Sequence, residues 1–134
     1  NKLPLASKAD FDKIIYLEPN NLRAKVALAM ILKRDGMWKE AEEAYTELLS
    51  QNKSYAELYF NRAECYLQQN KLARTQEDLT KAVELGYDEG PLYILRGQLR
   101  IAQFDKRSAK EDFIRAKEKG IDEKIINDLL LLCK

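Results

Sequence analysis

The chain has 134 residues, 34% of them charged, and 23 Lys and Arg against 22 Asp and Glu leave a net charge of +1. That near balance excludes the basic excess by which nonspecific nucleic-acid and membrane-surface binders work. The longest uninterrupted apolar run, Val26 to Leu32, falls far short of the roughly 18 residues that span a bilayer, so no direct membrane insertion is expected. A hydrophobic content of 46% is too high for a disordered chain. There is no histidine, which removes Ser-His and Cys-His catalysis, His-containing zinc sites and imidazole pH switching. Leu, Ala, Glu, Lys and Arg dominate, Val and Thr are scarce, and only five Gly and three Pro punctuate the chain. These residues favour helix over strand, and the fold class predicted is all-α.

In chain order, the first long helix runs from about Asn21 to Arg34, with Ala24, Ala27, Leu28, Ile31 and Leu32 at helical spacing. Gly36 breaks it, and a second helix follows from about Trp38 to Ser50. Asn52 stands where a left-handed helix end is expected, being the residue after Gly most tolerant of that conformation. Ser54-x-x-Glu57 reads as a capping box that opens the next helix. Gly86 and Gly120 end two later helices as left-handed caps, and Pro91 suits a first helical turn, where its missing N–H costs nothing. Breaks are expected near Asp35, Asn70, Gly86, Gln103 and Gly120, giving seven to eight helices and no strand. The closing stretch, Ile125 to Cys133, is apolar on every side, whereas an end helix normally shows water a polar face.

The chain repeats itself every 34 residues. Lys81-Ala82-Val83-Glu84-Leu85-Gly86-Tyr87-Asp88-Glu89 returns as Arg115-Ala116-Lys117-Glu118-Lys119-Gly120-Ile121-Asp122-Glu123. Leu58-Tyr59-x-x-Arg62-Ala63 returns as Leu92-Tyr93-x-x-Arg96-Gly97, and Glu77-Asp78-Leu79 as Glu111-Asp112-Phe113. The full units fall at 22–55, 56–89 and 90–123 within a single domain, 1–134. Residues 1–21 supply the second half of a preceding unit, and 124–134 supply the first helix of a following unit or a cap.

This pattern resembles the tetratricopeptide repeat, a 34-residue helix-turn-helix unit. Small residues stand at repeat position 8 (Ala29, Ala63, Gly97) and position 20 (Ser7, Ala41, Thr75, Ala109). Large ones stand at position 24 (Phe11, Tyr45, Leu79, Phe113), and Ala82 and Ala116 at position 27. Leu17-Glu18-Pro19-Asn20-Asn21 is close to the family's usual inter-repeat ending. Elsewhere Lys53, Tyr87 and Ile121 replace that ending's proline, and Ile14 and Leu48 enlarge position 27. Small residues let helix axes approach while large ones fill the space between units. The fold implied is a right-handed superhelical stack of antiparallel helix pairs.

No catalytic residue, metal site or cofactor is expected. There is no Gly-rich phosphate loop, no cysteine-pair metal spacing, and no nucleophile with a base. Glu40, Glu42, Glu43 and Glu47, with Lys39 nearby, read as a solvated charged face. RNA-binding pentatricopeptide units look similar, but the fixed 34-residue period and the balanced charge argue against them. Cys65 and Cys133 read as small core residues rather than a disulfide, which fits a cytoplasmic setting. The chain begins at Asn1 rather than Met and reads as a fragment or processed product, so a signal peptide would be out of view.

The resemblance implies a protein-protein interaction scaffold whose first helices line a concave groove. Mapped onto this chain, the groove row is Val26, Met30, Phe60, Leu67, Ile94, Leu95 and Ile101, with Phe60 the expected central anchor. Asn61, Glu64 and Gln98 are expected to hydrogen-bond the backbone of a bound peptide. Arg23, Lys33 and Arg34 make one end of the mapped surface positive. A subgroup of the family clamps C-terminal carboxylates of chaperones, but only Asn61 matches that clamp. Val26, Met30, Pro91 and Leu95 occupy its other places, and nothing replaces the lost positive charge. Arg62 and Arg96 are expected to pack their stems between helices and pair with Glu77, Asp78, Glu111 or Asp112. Tyr59, Tyr66 and Tyr93 are expected in the core. The ligand expected is thus an apolar or amphipathic peptide segment of a protein partner, with no nucleic acid. The alternative is self-association into a homo-oligomer or larger array through Leu130 and Leu132 of the apolar end.

Overall fold

A computed structural model describes residues 7–134, so the leading part of the predicted half-unit at 1–21 lies outside the described residues. Eight α-helices follow one another: α1 (Lys8–Leu17), α2 (Leu22–Arg34), α3 (Trp38–Gln51), α4 (Ala56–Gln68), α5 (Leu72–Glu84), α6 (Gly90–Ala102), α7 (Lys106–Glu118) and α8 (Glu123–Leu130). A single 3-10 turn, Leu131–Cys133, closes the chain, and no strand occurs among the described residues. Each helix packs on its neighbours in sequence, and the tightest pairs, α4 with α5 and α6 with α7, are joined by short turns. The breaks fall where the sequence puts them.

Small and large residues interlock as the period demands. Ala29 and Ala63 on first helices are fully buried, and so are Ala41, Thr75 and Ala109 on second helices together with the bulky Tyr45 and Phe113 there. Gly97 shows the tightness: a Cβ there would overlap the Phe113 ring, with Cδ1 at 2.8 Å. Two clusters form the core, one around Ala29, Tyr45, Leu58 and Cys65, the other around Phe60, Leu79, Leu92, Leu95 and Leu99. Cys65 and Cys133 are free thiols, and burial pushes Cys65 up to about 12, which keeps its thiol protonated and inert.

The turns inside the units share one device. Gly36, Asn70 and Phe104, each one period apart, all adopt left-handed backbone, with φ of 75°, 59° and 62°. At the turns between units, Gly86 and Gly120 are left-handed, but Asn52 is not: its φ is −137°, and its side chain instead donates to the Leu48 carbonyl at 2.9 Å. The expected capping box at Ser54 and Glu57 is also absent. α4 starts one residue later than that motif requires, with Tyr55 in the cap position and no side-chain cap bond. A capping box does form in α1, where Ser7 and Asp10 exchange backbone hydrogen bonds.

The acidic face of α3 departs from the expectation at one residue. Glu42 is buried, and its carboxylate accepts from Lys71 Nζ and Gln69 Nε2, both at 3.0 Å, with Lys39 at 3.6 Å. Burial works to raise its pKa, but the bonds from Lys71 and Gln69 outweigh it and leave the group below its ordinary value. One carboxylate of the run therefore ties α3 to the turn between α4 and α5.

Candidate functional site

The first helices of the units, α2, α4 and α6, stand side by side. Lys33 near the end of α2 reaches across to α4, donating to Asn61 Oδ1 at 2.8 Å and pairing with Glu64 Oε2 at 3.1 Å. α4 in turn touches α6. This bridged floor is the surface on which the mapped residues fall.

The structure sorts those residues into two sets. Met30 is the most open, 49% exposed, and Val26, Leu67, Ile94, Ile101 and Gln98 are half-buried. Phe60 and Leu95 are not surface residues. Phe60 is 7% exposed, stacked on Tyr87 with ring centroids 5.0 Å apart, and Leu95 sits in the same core cluster. The expected central anchor is therefore core. Its ring points between α4 and the turn that follows α5 because Tyr87 stands in the place of the family's inter-repeat proline and offers an aromatic face there. Asn61 and Glu64 differ from expectation too, since both are engaged by Lys33 rather than held open for a ligand. That bridge joins residues 28 positions apart, and no local motif announces it.

The two arginines behave as packing residues. Arg62 forms a two-pronged pair with Asp78, Nε to Oδ2 and Nη2 to Oδ1 both at 2.8 Å. Arg96 repeats it one period later on Asp112, with Nη2 to Oδ1 at 2.9 Å. Hydrogen bonding to Asp78 holds Arg62 above its ordinary value against the pull of burial. Each guanidinium also lies over a tyrosine from its own helix: Arg62 is 5.8 Å from the Tyr59 ring and 5.5 Å from that of Tyr66, and Arg96 is 5.2 Å from that of Tyr93. Tyr66 is buried, while Tyr59 and Tyr93 are half-buried. A planar, permanently charged fork pays for its desolvation only through such paired geometry.

At the other end, α8 buries Ile126 completely against the stack and leaves Ile125, Leu131 and Leu132 open, at 51%, 59% and 49% exposure. Leu130 is half-buried. The apolar end thus presents Leu132 with Leu131 and Ile125, while Leu130 is partly taken up by the fold. Among the described residues no group of three or more His, Cys, Asp or Glu side chains is placed to hold a metal ion, and no helix is long and apolar enough to cross a membrane.

Comparison with known proteins agrees with this architecture. Residues 56–85 match the sequence model described as "Tetratricopeptide repeat". RNA polymerase II-associated protein 3 of Xenopus tropicalis is 30% identical over 89 residues, which cover 66% of this chain and 14% of that protein. A solved tetratricopeptide repeat protein from Parabacteroides merdae ATCC 43184 superposes with a TM-score of 0.85 at 32% identity, over 94% of this chain and 49% of that one. The first TPR of Spaghetti (RPAP3), solved bound to the HSP90 peptide SRMEEVD, superposes with a TM-score of 0.72 at 25% identity, over 83% of this chain and 89% of that one. The chain therefore spans a small part of the curated relative and about half of the bacterial one. With a 34-residue period, helix pairs in unbroken succession and small residues wherever two axes meet, this chain belongs to the tetratricopeptide-repeat family.

Proposed function

We propose that this chain is a protein-interaction scaffold without catalytic activity of its own, and that the floor of α2, α4 and α6 binds an apolar or amphipathic peptide segment. The observation that carries this reading is Met30, a large apolar side chain half in water beside Val26, on the row that continues through Leu67, Ile94 and Ile101. A stack that only supported itself would gain nothing from an open methionine there, and a thioether adapts to varied ligands. The related domain that holds an HSP90 peptide supports peptide binding in general. An acidic carboxyl terminus is the less fitting ligand here. Of the five clamp places only Asn61 matches, and Lys33 already occupies its carbonyl oxygen. Without an enzyme's nucleophile-base pair, the fitted activity is recognition.

Selection from a phage-displayed random peptide library on the whole chain tests this. The selected peptides should be apolar or amphipathic, and Met30→Lys, at an open position, should weaken them at least about tenfold with an unchanged melting temperature. Enrichment of peptides ending in acidic carboxylates, or indifference to Met30→Lys, would overturn the reading.

A second reading rests on a different observation, the exposed Ile125, Leu131 and Leu132. Under it the C-terminal end joins two copies, and sedimentation should show concentration-dependent dimer that Leu131→Lys with Leu132→Lys removes. A monomer at all concentrations would end it.

A further inference from the structure

Units two and three carry a trio that unit one lacks. Tyr59, Arg62 and Asp78 recur as Tyr93, Arg96 and Asp112, and one period earlier those places hold Lys25, Leu28 and Ala44. In both complete trios the tyrosine ring lies under the guanidinium, the guanidinium grips the carboxylate, and the phenol donates to the turn before its helix. Tyr59 reaches the Lys53 carbonyl at 2.9 Å, and Tyr93 reaches the Asp88 carboxylate. Where the trio is missing, a cleft of about 480 Å³ opens between α1, α2 and α3. One period on from Asn20, Leu22, Gln51 and Asn52 stand Ser54, Ala56, Leu85 and Gly86, and the hollow they help to line holds about 330 Å³, with none of Tyr59, Arg62 and Asp78 in its wall. In unit one the cleft thus extends inward to Lys25, Leu28 and Ala44, the three places that the trio occupies in units two and three. It is walled by second helices α1 and α3, and α2 contributes Leu22, Lys25 and Leu28 to its lining. None of its lining residues belongs to the groove row of the proposed peptide site.

We infer that this cleft receives the side chain of a tyrosine presented by a partner polypeptide. The two sibling units indicate the chemistry, because in each a tyrosine takes the place of Lys25 and its phenol bonds the turn before the helix. The wall is apolar where a ring would lie, with Leu22, Leu28, Ala44 and Leu48. Carboxamides stand at the rim, and Asn20 among them holds the sequence place, one and two periods before Ser54 and Asp88, from which a phenol is received in unit three. Lys25 and Glu47 face the opening with opposite charges, so the mouth favours neither a cation nor an anion. An apolar wall, a polar tip and no net charge fit a neutral ring with one hydroxyl.

The probe is N-acetyl-tyrosinamide, titrated into the whole isotopically labelled chain and followed by amide shifts, with N-acetyl-leucinamide as comparison. The tyrosine probe should bind in the millimolar range, as expected for a single residue, and shift Lys25, Ala44 and Leu48. The triple variant Lys25→Tyr, Leu28→Arg, Ala44→Asp rebuilds the trio from within and should weaken the probe at least about tenfold. Ala44→Met, which fills the cleft with a single flexible side chain, should do the same and keeps the test open if the triple variant fails to fold. Equal binding of the leucine probe, shifts centred on Met30 and Ile94, unaltered binding in the filled variants, or no binding by the parent chain would each overturn the inference.

Discussion

Phe104 holds a left-handed backbone, φ 62°, with its side chain 93% exposed. Non-glycine residues meet a steric cost of about 1–2 kcal/mol in that region. Gly36, at the same place two periods earlier, avoids it, and the Phe104 ring recovers little by packing. Phe104→Gly should therefore raise stability by about 0.5–1 kcal/mol after glycine's greater unfolded-state freedom is subtracted. Urea unfolding at constant slope checks this, and a lowered midpoint would contradict it. Phe60 presents the opposite case. Its burial and its stacking on Tyr87 predict that Phe60→Ala costs about 3–5 kcal/mol. The same denaturation experiment distinguishes this core role from the surface anchor that its repeat position suggests, which would leave stability nearly unchanged.

Between elements, Glu42 is the clearest device. It sits on α3 yet is held by Gln69 and Lys71 of the turn joining α4 to α5, so one carboxylate couples neighbouring units. Its folded pKa lies below its ordinary 4.5. A depressed carboxylate adds stability that is present above its unfolded pKa and is lost as pH falls through the folded one. Glu42→Gln should accordingly cost about 1–3 kcal/mol at pH 7. The gap to the parent chain should narrow steadily as pH drops below the ordinary carboxylate value. Unfolding curves of the two proteins across that range measure it, and a gap independent of pH would exclude the coupling.

For the whole molecule, stability in a stack is a sum over neighbours, and ends with few buried contacts open first. α1 contributes no buried residue, whereas α4 and α6 contribute five each. Native-state hydrogen exchange should find the α1 amides least protected and those of α4 to α7 most protected. Equal protection along the stack would show it to open as one unit.

The period, the helix count, the breaks and the Arg62 and Arg96 pairs were legible in the sequence, because each rests on spacing. Small residues recurring every 34 positions point to helix contact, and an arginine recurring in successive units points to a packing solution, though which of Glu77, Asp78, Glu111 and Asp112 it pairs with came from the structure. Three features were not legible: the burial of Phe60 and Leu95, the spending of Asn61 and Glu64 on Lys33, and the cleft beside Leu28 and Ala44. Repeat position places a side chain on a helix face, but how far neighbouring units close over that face depends on the curvature of the stack and on rotamers. Tyr87 covers Phe60 only because its ring replaces a proline, and Lys33 reaches Asn61 only because α2 and α4 lie side by side at that height. Sequence by itself determined which residues the helices carry and where the chain turns; tertiary packing alone decided which of them remain open to a partner, because accessibility belongs to the assembled surfaces and not to any residue's own position.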